Sequence, residues 1–196
     1  MDADRLTFAC ATAAEQRAAQ GAGARAALVG LGAGNGVPEG AIVSFGLAGA
    51  LRDGLAIGTV LDVTRVVDAS GTVLWEGGPL GVPGAQAGTI LAVDELVDDP
   101  AERRRLHDRT GADAADLESG PLARTGRLRG VLRAVSDTPD RPLNGVAAAV
   151  KPAGGYDWPA LARAFVREPR GFARAATDAR RALEHLSAAT RRWADS

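Results

Sequence analysis

The sequence predicts a single α/β domain built on a central sheet. Short apolar runs that read as strands recur along the chain as far as about residue 137, with helix-start signals interleaved between them. Several of these runs end in glycine or a carboxylate, the pattern of strands whose carboxyl ends open onto a ligand crevice. With 196 residues, 46% of them hydrophobic, the chain has material for one good core but hardly for two, so residues 1–196 are read as one domain.

Residues 6–10 read as the first strand. Thr12-Ala13-Ala14-Glu15 follows as a capping box and opens a helix to about Gln20. Residues 24–31 and 41–45 read as buried strands, each ending in glycines. Residues 58–68 are β-branched and pair with 72–75 across the turn Asp68-Ala69-Ser70-Gly71. A further strand covers 88–93. Asp99-Pro100-Ala101-Glu102 starts a helix cleanly, with Asp99 as cap, Pro100 at the first position and Glu102 favouring the helix dipole; it stops near Gly111. A strand over 112–117, a short helix and a strand over 131–135 complete the sheet. Beyond Arg141, Tyr156-Asp157-Trp158-Pro159 begins a helix and Pro169 separates it from a longer one. In the latter Phe172, Ala176, Ala179, Leu183 and Leu186 recur at spacings of four and three, so these C-terminal helices (about 158–192) are expected to pack on the sheet. One connection is anomalous. Only about nine residues, glycine-rich and broken by Pro38, join 24–31 to 41–45, whereas parallel neighbours need a crossover of a dozen or more, usually a helix. Either these strands are not parallel neighbours, or a helix has been lost and the gap is spanned in extended form.

Composition removes several functional classes. A net charge of −1 gives no electrostatic case for nucleic acid or an anionic membrane. Cys10 is the only cysteine and His107 and His185 the only histidines, both read on polar helix faces, so neither a disulfide framework nor a transition-metal site is expected. The N-terminus lacks a basic signal-peptide region and no apolar run reaches membrane-spanning length. The expectation is a soluble cytoplasmic protein without metal or cofactor. Trp75, Trp158 and Trp193 read as packing or interface residues.

Three carboxylates and one glycine segment carry the chemistry. Asp137 ends the run Leu132-Arg133-Ala134-Val135-Ser136-Asp137; buried there, its carboxyl can protonate a leaving group, while the alternative is a turn aspartate bonding nearby amides. Glu118, in Ala115-Asp116-Leu117-Glu118-Ser119, can accept hydrogen bonds from a ribose cis-diol and support an oxocarbenium-like transition state; the alternative is a solvated acid at a helix entry. Glu15 can serve as general base for water, yet it also stands where a capping-box glutamate belongs. Phe45-Gly46-Leu47-Ala48-Gly49-Ala50 reads as a strand-to-turn segment able to lay N–H groups along the crevice. It matches neither the dinucleotide fingerprint nor the phosphate loop.

Taken in order, these segments resemble the purine nucleoside phosphorylase and nucleosidase superfamily. Ala11-Thr12-Ala13-Ala14-Glu15 sits where methylthioadenosine/S-adenosylhomocysteine nucleosidases carry the glutamate that activates water. Gly46-Leu47-Ala48-Gly49 is similar to the family's Gly-Ser-Ala-Gly turn. Asp116-Leu117-Glu118-Ser119 is similar to its Asp-Met-Glu-Ser segment, whose second acid holds the ribose hydroxyls. Arg133-Ala134-Val135-Ser136-Asp137 is similar to Arg-x-Ile-Ser-Asp, whose aspartate protonates the purine. The resemblance places Leu96 and Val97 against the base, Ser136 beside the substrate and Arg133 in support of the acids. Within the superfamily the chain most resembles the hopanoid-associated phosphorylases.

The resemblance implies a three-layer fold with a central mixed, twisted sheet flanked by helices, here abbreviated by at least one helix. It also implies a homodimer and cleavage of the N-glycosidic bond of an adenine-type nucleoside with a bulky or apolar 5′ substituent, such as adenosylhopane. The chain departs from the phosphorylase pattern. Where phosphorylases place an arginine before the glycine turn and a serine within it, this chain has Ser44 and Leu47. Phosphate thereby loses its main charge partner, which favours water as nucleophile. The alternatives are phosphorolysis with inorganic phosphate held by Arg17 or Arg52, and a degenerate, non-catalytic nucleoside-binding protein.

Overall fold

The computed structural model describes residues 6–141, 166 and 168–196; the helix expected to begin at Tyr156 lies outside them. The elements run β1 (Leu6–Cys10), α1 (Ala13–Gly21), β2 (Ala26–Leu28), β3 (Ala41–Ala50), β4 (Val60–Val67), β5 (Val73–Glu76), β6 (Gln86–Ala92), α2 (Pro100–Thr110), β7 (Ala114–Asp116), α3 (Ser119–Ala123), β8 (Leu128–Asp137) and α4 (Pro169–Ala194). The strands form one mixed sheet in the order β2-β1-β3-β7-β6-β4-β5, and β8 pairs with both β3 and β4. The pairings β3–β7, β7–β6, β6–β4, β4–β8 and β8–β3 close a circuit, so the middle of the sheet curls on itself.

Strand alternation explains the layering. Along β8, Val131 and Val135 enter one core with Leu122 and Ala123 of α3, while Leu132 and Ala134 enter another with Ala19 of α1 and Ala182, Leu186 and Ala189 of α4. Trp193 closes the second core, tilted against Phe8 and donating its indole N–H to the Leu80 carbonyl at 2.9 Å. Trp75 packs on the first and donates to Leu128 O. The capping signals are realised: Thr12 and Glu15 cap α1 reciprocally, and Asp99, Pro100 and a left-handed Gly111 bound α2.

Four expectations need correction. The strand read over 24–31 is only β2, three half-buried residues at the sheet edge, because the chain turns at Gly30 (φ 74°) into a 3₁₀ turn over Leu31–Ala33. That turn is the only helical piece between β2 and β3. The two strands flank β1 and both run parallel to it, so they are parallel but not neighbours, and residues 29–40 make the return crossover over β1 with this single turn in place of a helix. Gly46–Gly49 is not a turn: β3 continues to Ala50, held by β8 on one edge and β7 on the other. On α4 the buried stripe is offset. Ala175, Ala182, Leu186 and Ala189 are buried and Ala176 is exposed, because α4 turns Ala179 and Leu183 toward a hollow and the face one residue over toward the sheet. Finally, His185 is exposed as expected, but His107 is half-buried and bonds the Ala112 carbonyl at 2.8 Å.

Candidate active site

The carboxyl ends of β1, β7 and β8, together with the second half of β3, meet at one hollow of about 210 Å³. Of the predicted site residues, Leu47, Ala48 and Gly49 of β3 line it, as do Asp116, Leu117 and Glu118 around the end of β7. Ser136 and Asp137 enter from β8 and Leu96 from the loop before α2. Val97 lines a smaller adjoining hollow of about 30 Å³, which Gly49, Leu96, Asp116 and Asp137 share. Three predicted residues, Glu15, Gly46 and Arg133, stand behind the wall rather than on it. Sequence reasoning missed the apolar end of the hollow: Ala14 of α1, Leu31 of the 3₁₀ turn, and Ala179 and Leu183 of α4. For the last two the signal was present, since they belong to the amphipathic stripe and are only half-buried in the fold.

Asp137 is 2% exposed at the last position of β8. Its partners are side chains rather than turn amides. Ser136 Oγ donates to Oδ1 at 2.7 Å, and Arg103 Nη2 forms an ion pair with Oδ2 at 2.5 Å. Burial raises the carboxyl's pKa, with Arg103 and Ser136 opposing the shift and Asp98 reinforcing it. Gly49 is the residue that admits this pair: a Cβ there would lie 2.8 Å from Asp137 Oδ2.

Glu118 is 4% exposed, not a solvated helix-entry acid. Its side chain does not cap α3, because Asp116 does so, accepting from the Ser119 amide at 3.0 Å. Instead Glu118 Oε1 accepts from the Gly32 amide at 3.4 Å, and Oε2 lies 3.6 Å from Arg133 Nη2. Burial pushes its pKa up to about 8; Arg133 pulls against this, while Asp116 and Glu15 add to it.

Arg133 is fully buried. It donates from Nε to Asp116 Oδ2 at 2.5 Å and from Nη2 to Ser44 Oγ at 2.6 Å, whereas Nη1 has no hydrogen-bond partner among the described residues. Burial works against its charge, but Asp116, Glu118 and Glu15 outweigh it and its pKa is raised. Asp116 is thus an anchor for Arg133 as much as a wall of the hollow.

Glu15 divides its two oxygens. Oε2 takes the Thr12 amide (2.8 Å) and hydroxyl (3.0 Å), completing the capping box, and Oε1 takes the Leu47 amide at 2.8 Å. One carboxylate therefore caps α1 and still reaches β3, which sequence alone presented as a conflict. A Cβ at Gly46 would collide with both Glu15 Oε1 and Arg133 Nη1, so these two groups converge on one face of that glycine.

Of the two arginines considered for phosphate, Arg17 is exposed on α1, and Arg52 pairs with Asp113 at 2.7 Å; neither lines the hollow. Among the described residues no group of three or more His, Cys, Asp and Glu side chains is placed to hold a metal ion, and no helix is long and apolar enough to cross a membrane.

Solved structures with this architecture are numerous. The 5′-methylthioadenosine/S-adenosylhomocysteine nucleosidase of Helicobacter pylori superposes with a TM-score of 0.66 at 13% identity, covering 100% of this chain and 99% of its own. The chain has the fold of the nucleosidases. Futalosine hydrolase of the same organism gives 0.65 at 12% identity over 98% of both chains, and the S. pneumoniae nucleosidase 0.56 at 16% over 92% and 99%. No protein-family model and no curated protein matches the sequence. At these identities the likeness describes the fold, and the chemistry has to be argued from the side chains.

Proposed function

We propose that the protein hydrolyses the N-glycosidic bond of a purine nucleoside, of the adenine type and with an apolar 5′ substituent. The observation that carries this reading is the convergence of two acids of raised pKa, Asp137 and Glu118, on one hollow whose far end is apolar. In this reading Asp137 gives its proton to a ring nitrogen of the base while the bond between base and sugar breaks and its electron pair leaves with the base. The ribose hydroxyls and the positive charge developing on the sugar draw Glu118 into its ionised form, in which it accepts their hydrogen bonds and supports that charge. A water oxygen bonds the sugar carbon and its proton passes to Glu15. Arg133 Nη1, beside Glu15 across Gly46, is the donor that would hold this water. The solved H. pylori nucleosidase with 5′-methylthioadenosine in its active site is consistent with a ligand of this class. The 5′ group would extend toward Leu31, Ala179 and Leu183, where a methylthio group or a larger hydrocarbon such as a hopanoid meets apolar walls.

Water is favoured over phosphate on charge. Four buried carboxylates (Glu15, Asp116, Glu118, Asp137) face two buried arginines, Arg103 and Arg133, and both arginines are already ion-paired. With both arginines committed to these ion pairs, a phosphate dianion would find no unpaired cation lining the hollow among the described residues. Ser44, at the position of the phosphorylase arginine, instead accepts from Arg133.

The test is release of free adenine from methylthioadenosine with and without phosphate. Equal rates and free 5-methylthioribose are expected, and Asp137→Asn is expected to lower turnover by about 10²–10⁴-fold with the fold intact. Formation of a ribose 1-phosphate, or nucleoside binding by calorimetry without any product, would overturn the hydrolytic reading.

A further inference from the structure

Arg103 is a buried cation that the reading above leaves without a task. It projects from α2, is 2% exposed, and reaches three segments that meet at the smaller hollow. Nε donates to the Val97 carbonyl at 2.8 Å, in the loop between β6 and α2. Nη1 donates to the Ala50 carbonyl at 3.3 Å, at the end of β3. Nη2 stands 2.5 Å from Asp137 Oδ2, at the end of β8, and 3.7 Å from half-exposed Asp98. A guanidinium buried this deeply is retained only where its charge and fork are both used. A lysine would supply the charge without the fork.

We propose that Arg103 is a positioning residue for the acid, clamping Asp137, the end of β3 and the Leu96–Val97 loop into one unit and receiving the carboxylate left when the proton departs. The proposal rests on Asp137 being the acid. The chemistry is a balance of two opposed effects. Burial favours the protonated form of Asp137, and the adjacent cation stabilises the conjugate base once the proton has moved to the purine nitrogen. The charged groups around the carboxyl are Arg103 from α2, Asp98 from the loop before it, and Asp116 across the hollow from β7. Val97 O is bonded to the same guanidinium, so the loop covering the base moves with the acid.

The decisive measurement is titration of the Asp137 carboxyl by ¹³C NMR of the full chain, the signal assigned by its absence in Asp137→Asn. This readout does not require turnover. Arg103→Gln is expected to raise the titration midpoint by about 1–3 pH units, because an opposite charge at contact distance is lost. Arg103→Lys should return it to within about one unit while KM for the nucleoside stays raised, since the bond to the Val97 loop is not rebuilt. Asp98→Asn, a change at an exposed side chain that leaves the fold undisturbed, should move the midpoint down by a few tenths of a unit, because a negative charge competing for Arg103 is removed. In turnover assays the alkaline limb of kcat/KM should follow the same order. A midpoint unmoved in both folded Arg103→Gln and Asp98→Asn overturns the proposal; if Arg103→Gln does not fold, an unmoved or raised midpoint in Asp98→Asn does so alone. Shifted midpoints in a protein that releases no base from any purine nucleoside would instead leave the clamp standing and refute the proposed reaction.

Discussion

Glu118→Gln is expected to stabilise the protein at alkaline pH while abolishing its chemistry. The Glu118 carboxyl is 4% exposed and burial holds its pKa at about 8 against an ordinary 4.5, with Arg133 only partly offsetting the effect. The folded protein keeps this proton until about pH 8, whereas the unfolded chain releases it near 4.5. Stability from this group is therefore fully present below pH 4.5 and falls as pH rises through 8. A gap of about 3.5 pH units at 1.36 kcal/mol per unit sets a ceiling of about 5 kcal/mol. Relaxation and water entry bring the realised loss to several kcal/mol. Glutamine carries no charge, so the variant lacks this loss. Urea unfolding of both proteins at pH 5 and pH 9 reads the difference. The midpoint of the wild type should drop relative to that of the variant at pH 9 with unchanged m-values, and the two should nearly coincide at pH 5. Asp137 also has a raised pKa and contributes the same sign in both proteins, so it cancels in the comparison. Parallel pH dependences in wild type and Glu118→Gln would refute the assignment of a buried, proton-holding Glu118.

Gly46→Ala is expected to destabilise the fold by about 1–3 kcal/mol and to lower turnover, because the added methyl meets Glu15 and Arg133; thermal unfolding and the adenine-release assay read the two effects. Leu183→Asn should raise KM for methylthioadenosine by about 10-fold while changing KM for adenosine little, since the apolar wall at the 5′ end is lost; equal effects on both substrates would remove Leu183 from that end. Asp62→Ala, away from the hollow, is expected to leave turnover per folded molecule unchanged but cost about 2–4 kcal/mol in urea unfolding, because the Leu80, Gly81 and Val82 amides lose their common acceptor.

Much of the local structure was legible because its determinants are local. The Thr12–Glu15 capping box, the Asp99-Pro100 start of α2 and its Gly111 stop need only neighbouring residues, and they are found where the sequence places them. The strand ends bearing Asp116 and Asp137 were legible from apolar runs interrupted by acid. The extent of β3 was not, because glycines signal turns unless a neighbour holds them extended, and the neighbours β7 and β8 come from distant sequence. The β2–β3 connection was ambiguous for a related reason: whether two strands are adjacent is a property of the sheet order.

The order and types of the elements, the absence of a charge surplus and the three acids with their motif spacing follow from the amino-acid sequence itself, since periodicity, capping and composition act over a few residues. What tertiary structure alone decided is what each acid touches. It set Arg103 against Asp137, joined Glu15 to β3, took Asp116 for Arg133 and left Glu118 buried beside the Gly32 amide. These pairings join residues up to 86 positions apart. Electrostatics depends on distance in space and on exclusion of water, and neither exists until the chain has folded.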